Sequence, residues 1–230
     1  MLFRSLHLIM ARSFPCAKVI EWPVCPDGPD YRIPVMSLPL AMQTFSEPSI
    51  PGRVPYLIPD ADRARYWQEQ LTATRAKSVG LVWRGNPEHD NNHNRSASLT
   101  DLLPLLAAHE SIQFVTLQKG LTDAERIALS NYSNARILDG ELTNFDETAA
   151  VMSNLDIVIS VDTAPAHLAG ALGKPTLILL PFSGEWRWMV ERADSPWYPT
   201  ARLFRQKSIG NWAEVVSNIN AVLAEWAFTP

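Results

Sequence analysis

Three short runs constrain this chain more than anything else in it. VGLVW (79–83), IVISV (157–161) and TLILL (176–180) are apolar at nearly every position. A strand with one wet face alternates apolar and polar residues, whereas a strand covered on both faces does not. Between and around these runs lie segments of helical character: residues 99–110, 122–131, 146–155, 164–173 and 211–226. Further strand-like runs occur at 112–118, 135–139 and 201–206. Strands separated by helices imply βαβ units and a parallel sheet, with right-handed crossovers placing helices on both faces. The fold class expected is therefore α/β, a Rossmann-like parallel sheet covered on both sides.

The chain divides by character near residue 60. Ten of the eighteen prolines fall in residues 1–60 and rule out long helices there. We expect a short amphipathic helix near the N-terminus leading into a strand over 17–22, then an irregular stretch without a core of its own. Residues 61–230 are expected to form the α/β domain. A helix over 60–73 opens it, with Asp60 as N-cap. Thr100 and Asp146 are the expected caps of the helices that follow them, and Glu147 a partner of the helix dipole.

A net charge of −4 and an isoelectric point near 5.7, with no basic stretch, argue against binding nucleic acid or an acidic membrane. No apolar run has the roughly 18–20 residues of a membrane span. Cys16 and Cys25 have no metal-site spacing; two reduced thiols of a cytoplasmic protein is the reading taken, with a disulfide as the alternative.

The apolar stretch VISVDTAPAHLAGALGKPTLILL (158–180) is interrupted by Asp162, Thr163 and His167. In an open parallel sheet, ligands sit beyond the carboxyl ends of the strands. Asp162 ends a predicted strand, and Pro165 suits the first turn of the next helix. The unpaired amides and positive end of that helix then face the mouth of the sheet, a place for phosphate without a glycine-rich loop. His167, one turn in, is positioned to donate to a phosphate oxygen. Two readings stand for these residues: plain helix caps, or an anion site. No G-x-G-x-x-G follows any strand, and GKPT (173–176) fails as a Walker A ending because Pro175 follows the lysine.

The loop RGNPEHDNNHNR (84–95) leaves a strand end and faces the same mouth; Arg84 and Arg95 are placed to screen phosphate charge and Asn86 to bond to it. Gln118 and Lys119 end another strand at this edge. His89, Asp90 and His93 lack the further clustered ligand of a metal site, and no metal is expected. In the block GEWRWMVERADSPWYP (184–199), Trp186, Trp188, Trp197 and Tyr198 are read as packing over the sheet, with stacking on a sugar as the alternative.

Three stretches together, GLVWRGNPEHDNNHNRS, ISVDTAPAHLAGALGKPTLILLPF and WRWMVERADSPWYPTARLFRQ, resemble the heptosyltransferase-like enzymes of glycosyltransferase family 9. The nearest resemblance is to bacterial members fused behind tetratricopeptide repeats, over roughly residues 30–228. It implies the donor-binding, C-terminal half of a glycosyltransferase B fold. It also implies inverting transfer of a sugar from a nucleotide-diphosphate donor to an acceptor hydroxyl, with no cofactor. Asp162, Thr163 and His167 match the family's donor motif, and Ala164 stands where heptosyltransferases proper often have glycine. Arg95 resembles the basic residue that neutralises the donor phosphate. The family's N-terminal domain binds acceptor and supplies a carboxylate base. Here residues 1–60 are expected to be its remnant and linker, since a full domain needs on the order of 100–150 residues. Asp27 and Asp30 are not placed at the site. The alternative is a non-catalytic module that binds a nucleotide or nucleotide sugar.

Overall fold

A computed structural model describes residues 4–20, 30–71 and 77–227. Cys25, Asp27 and the end of the strand expected over 17–22 lie outside the described residues; residues 17–20 are irregular rather than extended in a ladder. The elements are α1 (His7–Ser13), α2 (Leu38–Ala41), α3 (Ala61–Leu71), β1 (Ser78–Val82), α4 (Asn92–Arg95), α5 (Leu99–Ala108), β2 (Gln113–Thr116), α6 (Asp123–Ser130), β3 (Ala135–Ile137), α7 (Phe145–Ser153), β4 (Ile157–Val161), α8 (Ala164–Ala171), β5 (Thr176–Leu180), β6 (Ala201–Arg205) and α9 (Trp212–Ala227).

The six strands form one sheet in the order β3-β2-β1-β4-β5-β6, and every pairing is parallel. The order reverses direction between β1 and β4, so the crevice of a doubly wound sheet opens there. Strand side chains alternate between two cores, as a period of two requires. Val79, Leu81, Ile157, Ile159, Leu177 and Leu179 pack with residues of α5, α6 and α9. On the other face Val82, Val115 and Val158 pack with Trp67 and Leu71 of α3 and with residues of α7 and α8. Both faces are dry, which is why these strands read as continuous apolar runs.

The described part of residues 4–60 builds no cluster of its own. Ile9 of α1 and Leu57 are buried in the core that holds α3, α7 and α8. The backbone amides of Tyr56 and Leu57 donate to the Ala171 carbonyl at the end of α8. Arg12 of α1 makes a two-pronged contact with Asp146 (2.5 and 2.9 Å) and reaches Asp60 at 3.0 Å. By contrast, Tyr31, Val35, Met36, Leu40, Met42 and Phe45 stand exposed.

Two caps differ from expectation. Ser98, not Thr100, caps α5: its hydroxyl accepts from the Asp101 amide and the Asp101 carboxylate accepts from the Ser98 amide, the reciprocal box that needs an acid three residues on. Asn144, not Asp146, caps α7, accepting from the Glu147 amide at 2.8 Å. Asp146 instead sits inside the first turn, committed to Arg12. Asp60 does cap α3, accepting from the amides of Asp62 and Arg63. Among the described residues no helix is long and apolar enough to cross a membrane.

Candidate functional site at the carboxyl edge of the sheet

At the switch point, the exits of β1, β2 and β4 and the starts of α7 and α8 enclose a cleft of about 310 Å³. Arg84, Gly85 and Asn86 line it from the β1 loop, Gln118 and Lys119 from the β2 exit, Phe145 and Thr148 from α7, and Thr163 and Pro165 from α8. The crevice is thus where a strand-order reversal puts one, and it lies at the amide end of α8.

Thr163 occupies the N-cap position of α8 with extended backbone, yet its side chain makes no capping bond. Proline in the first turn has no amide to satisfy, so the helix starts cleanly without help from the hydroxyl. Ala164 is exposed in that same turn. The Thr163 hydroxyl and the positive end of α8 are both left for a ligand.

Asp162 is 6% exposed. The imidazole of His167 lies beside it, with Nε2 3.9 Å from Oδ1, too long for a hydrogen bond. The half-buried Arg205 of the β6 end also feels Asp162: burial lowers the Arg205 pKa and the Asp162 charge acts against that. A carboxylate has no proton to give a phosphate, so in this arrangement Asp162 acts on the cations around the mouth. Burial likewise lowers the His167 pKa, with Asp162 opposing, Arg187 reinforcing, Glu185 opposing and Arg95 reinforcing the shift.

Arg95 comes from the one-turn α4, which folds the β1 loop back on itself. Its guanidinium packs on Gly85, close enough that a β-carbon there would lie 2.7 Å from Nη2. Its Nε is buried without a hydrogen-bond partner. Neighbouring arginines are committed: Arg84 to Glu125 and the Gly120 carbonyl, Arg187 to Glu185, Arg205 to the carbonyls of Trp188 and Met189.

The other expected residues divide. Asn86 lines the cleft, its Oδ1 accepting from the Glu88 amide in a local turn. Gln118 lines it too, but its polar atoms serve the backbone: Oε1 accepts from the amides of Trp83 and Arg84, and Nε2 donates to the Lys119 carbonyl. Lys119 reaches the Thr143 carbonyl at 3.5 Å. His89 accepts from the Asn91 amide, and no group of three or more His, Cys, Asp or Glu is disposed to hold a metal among the described residues. Trp188 and Tyr198 are buried and pack on His167, whereas Trp186 is 54% exposed and meets Trp197 edge-on. Phe145, Thr148 and Arg205 escaped sequence reasoning; only their places in the first turn of α7 and at the end of β6 could have marked them.

The sheet order, its dry faces and the crevice at the switch point define the class, a Rossmann-like α/β domain resembling one half of the glycosyltransferase B fold. The solved structure of a glycosyl transferase family 9 protein from Veillonella parvula superposes with a TM-score of 0.54 at 14% identity, over 74% of this chain and 52% of that one. The ADP-heptose lipopolysaccharide heptosyltransferase II of E. coli gives 0.49 at 17% identity, over 74% and 54%; the fold assignment rests on the former. Residues 111–215 match the family model of glycosyltransferase family 9 (heptosyltransferase), so the resemblance read in the sequence is shown over β2 to the start of α9. Arg95 and Asn86 precede that span. Protein FlbA of Caulobacter vibrioides is 27% identical over 222 residues, 94% of this chain and 36% of FlbA. The chain spans about a third of that relative and about half of the two solved structures.

Proposed function

We propose that this chain is the donor-binding half of an inverting, heptosyltransferase-like glycosyltransferase, and that it holds the diphosphate of a nucleotide sugar where β4 hands over to α8. The observation that carries the reading is Arg95: a guanidinium whose buried Nε has no hydrogen-bond partner among the described residues, packed on a cleft-lining glycine. Leaving a charge-bearing group unmatched is costly, and a diphosphate supplies the missing partner. Thr163, with its hydroxyl uncommitted, the amide end of α8 at Ala164, and His167 complete the donor set; Asn86 and Gln118 border the cleft beside it.

In the reaction, an acceptor hydroxyl attacks the anomeric carbon from the face opposite the diphosphate. The bond from that carbon to the diphosphate oxygen breaks, and its electron pair leaves with the phosphate. Arg95, His167 and the Ala164 amide at the start of α8 stabilise the growing charge. The acceptor proton passes to a carboxylate base. Among the described residues the lining of the cleft contains no Asp or Glu, and in this reading the base comes from another surface. Residues 1–60 fit the part of linker to that surface, with the exposed apolar side chains of residues 31–45 as support. Cytoplasmic placement in a bacterium belongs to the same proposal, and the net negative charge agrees with a partner other than nucleic acid.

The lack of a carboxylate on the cleft also favours a second reading, a module that binds a nucleotide sugar without turning it over. Calorimetric titration with ADP, UDP, GDP and their glucose conjugates tests both. We expect one diphosphate series to bind, with a loss of about 10- to 100-fold in Arg95→Ala. Absence of binding by the folded protein to every member of the set overturns the donor-site reading. Binding without sugar release, with candidate acceptors present, favours the module.

A further inference from the structure

The imidazole of His167 is held on three sides. Its ring stacks on Trp188, centroids 5.1 Å apart and planes 18° from parallel. Its Nδ1 lies 3.1 Å from the Tyr198 hydroxyl. Its Nε2 points to the Asp162 carboxylate, 3.9 Å away, at the end of β4. Tyr198 is itself seated firmly. A β-carbon on Gly170, one turn along α8 from His167, would lie 2.5 Å from the Tyr198 ring, so the phenol fills the space that glycine leaves. Tyr198 is also buried, and burial together with the neighbouring Tyr56 phenol pushes its pKa up, so the hydroxyl keeps its proton.

We propose that Tyr198 is the positioning residue of the diphosphate site, its hydroxyl fixing His167 by Nδ1 so that the imidazole proton sits on Nε2, on the side of Asp162 at the end of β4. The proposal rests on the donor-site reading above for its consequence, though not for its geometry. A neutral imidazole has one N–H, and the hydrogen bond made by one nitrogen decides which nitrogen carries it. With the Tyr198 O–H donating to Nδ1, and its oxygen left to accept from the neighbouring Tyr56 phenol, Nε2–H is the remaining donor. When His167 takes up a second proton, the roles at Nδ1 reverse: Nδ1–H donates and the phenol oxygen accepts. A hydroxyl serves in either direction, so His167 gains charge against a bound anion without losing its anchor. The groups facing His167 are Asp162 from β4, Glu185 and Arg187 from the turn before Trp188, Arg95 from α4, and Tyr198. None of the others faces Nδ1 at hydrogen-bond distance among the described residues, so Tyr198 anchors that nitrogen, and the Asp162 charge beside Nε2 favours the same tautomer.

The test is nitrogen-15 NMR of the imidazoles, with His167 assigned by His167→Ala, in the wild type and in Tyr198→Phe. It is joined to calorimetry with ADP-glucose. The wild type is expected to show the Nε2–H tautomer. Tyr198→Phe keeps the ring against Gly170 and removes only the hydroxyl. There we expect a mixed tautomer, a lower His167 titration midpoint, and ADP-glucose affinity weaker by about 3- to 10-fold. In a His167→Ala background, Tyr198→Phe should cost nothing further, because the two residues act as one unit. An Nδ1–H tautomer in the wild type, an unchanged tautomer and midpoint in Tyr198→Phe, or a full loss of affinity persisting without His167 each overturns the proposal. Should the wild type bind no ADP-glucose, the donor-site reading falls in its ADP form, and the tautomer measurement still decides the role of Tyr198.

Discussion

The guanidinium of Arg95 occupies the space of an absent side chain at Gly85: a β-carbon there would lie 2.7 Å from Nη2 and 3.1 Å from Nε. Gly85 is not in the left-handed backbone region, so alanine fits its conformation and the conflict is with two side chains, the Arg95 guanidinium and the Asn92 amide oxygen. Both are flexible side-chain ends that move at little cost. Gly85→Ala is therefore expected to change stability by less than about 1 kcal/mol while displacing Arg95 and weakening nucleotide-sugar binding toward the level of Arg95→Ala. Paired melting and calorimetric titration decide it; an unchanged affinity in Gly85→Ala means that Arg95 does not act from this seat.

His167 gives two opposite pH dependences. Its folded pKa is lowered, chiefly by burial, below the ordinary value of 6.5. Between those two values the unfolded chain binds more protons, so stability rises with pH there. The contribution is complete above about pH 6.5 and is lost as pH falls through the folded pKa. A bound diphosphate favours the charged imidazole, so donor affinity moves the other way and strengthens on acidification. ADP-glucose suits the measurement because its diphosphate has no proton to gain near neutrality. Between about pH 7.5 and 5.5, chemical unfolding and titration should show these slopes in the wild type and flatter ones in His167→Gln. Parallel slopes in the two proteins refute the assignment.

What the sequence makes legible follows from how local the cause is. The strands show because both faces are dry, and the β4–α8 junction shows because Asp162, Thr163 and Pro165 are adjacent. Arg95 is marked by the loop that leaves β1 and by the family resemblance, and neither reveals its packing on Gly85. The reversal of strand order between β1 and β4 is not local, yet it is what brings the 84–95 loop beside Thr163. The same holds for side chains that meet across the chain. Tyr198 lies 31 positions from His167, and Arg12 lies 134 from Asp146. Gln118 reads as a ligand because it ends a strand at the mouth, and nothing local reveals that two amides of the β1 exit take up its oxygen. The two misread caps are a narrower matter, since Ser98 and Asn144 compete for the role within a residue or two of those chosen.

Arg12 is the fastening of the N-terminal helix. Its two nitrogens bridge Asp146, whose side chain is 11% exposed, and the cap residue Asp60. Removing the arginine strands a nearly buried carboxylate without its partner, a heavier loss than that of a surface ion pair. Arg12→Ala should cost about 1–3 kcal/mol in urea unfolding. Arg65→Ala, which breaks the exposed pair with Asp62, is the control and should cost less than about 0.5 kcal/mol. Equal costs for the two would show that α1 is not held through Asp146.

Gly170 separates intrinsic helix preference from packing. In an exposed helix interior, alanine in place of glycine gains about 1 kcal/mol. Here the new β-carbon would fall 2.5 Å from both Cγ and Cδ1 of Tyr198, a ring buried in the cluster with Trp188, Ile178 and Leu203. A ring in a packed cluster does not yield like a loose side-chain end, and overpacking of this kind costs about 1–3 kcal/mol. Packing outweighs propensity, so Gly170→Ala is expected to be destabilised. Because Tyr198 must shift, the hydrogen bond to His167 lengthens and nucleotide-sugar affinity falls along with stability. In a Tyr198→Ala background the clash is gone and the sign reverses, with Gly170→Ala raising stability. A Gly170→Ala protein that is more stable than the wild type in the presence of Tyr198 contradicts the seating of that ring on α8.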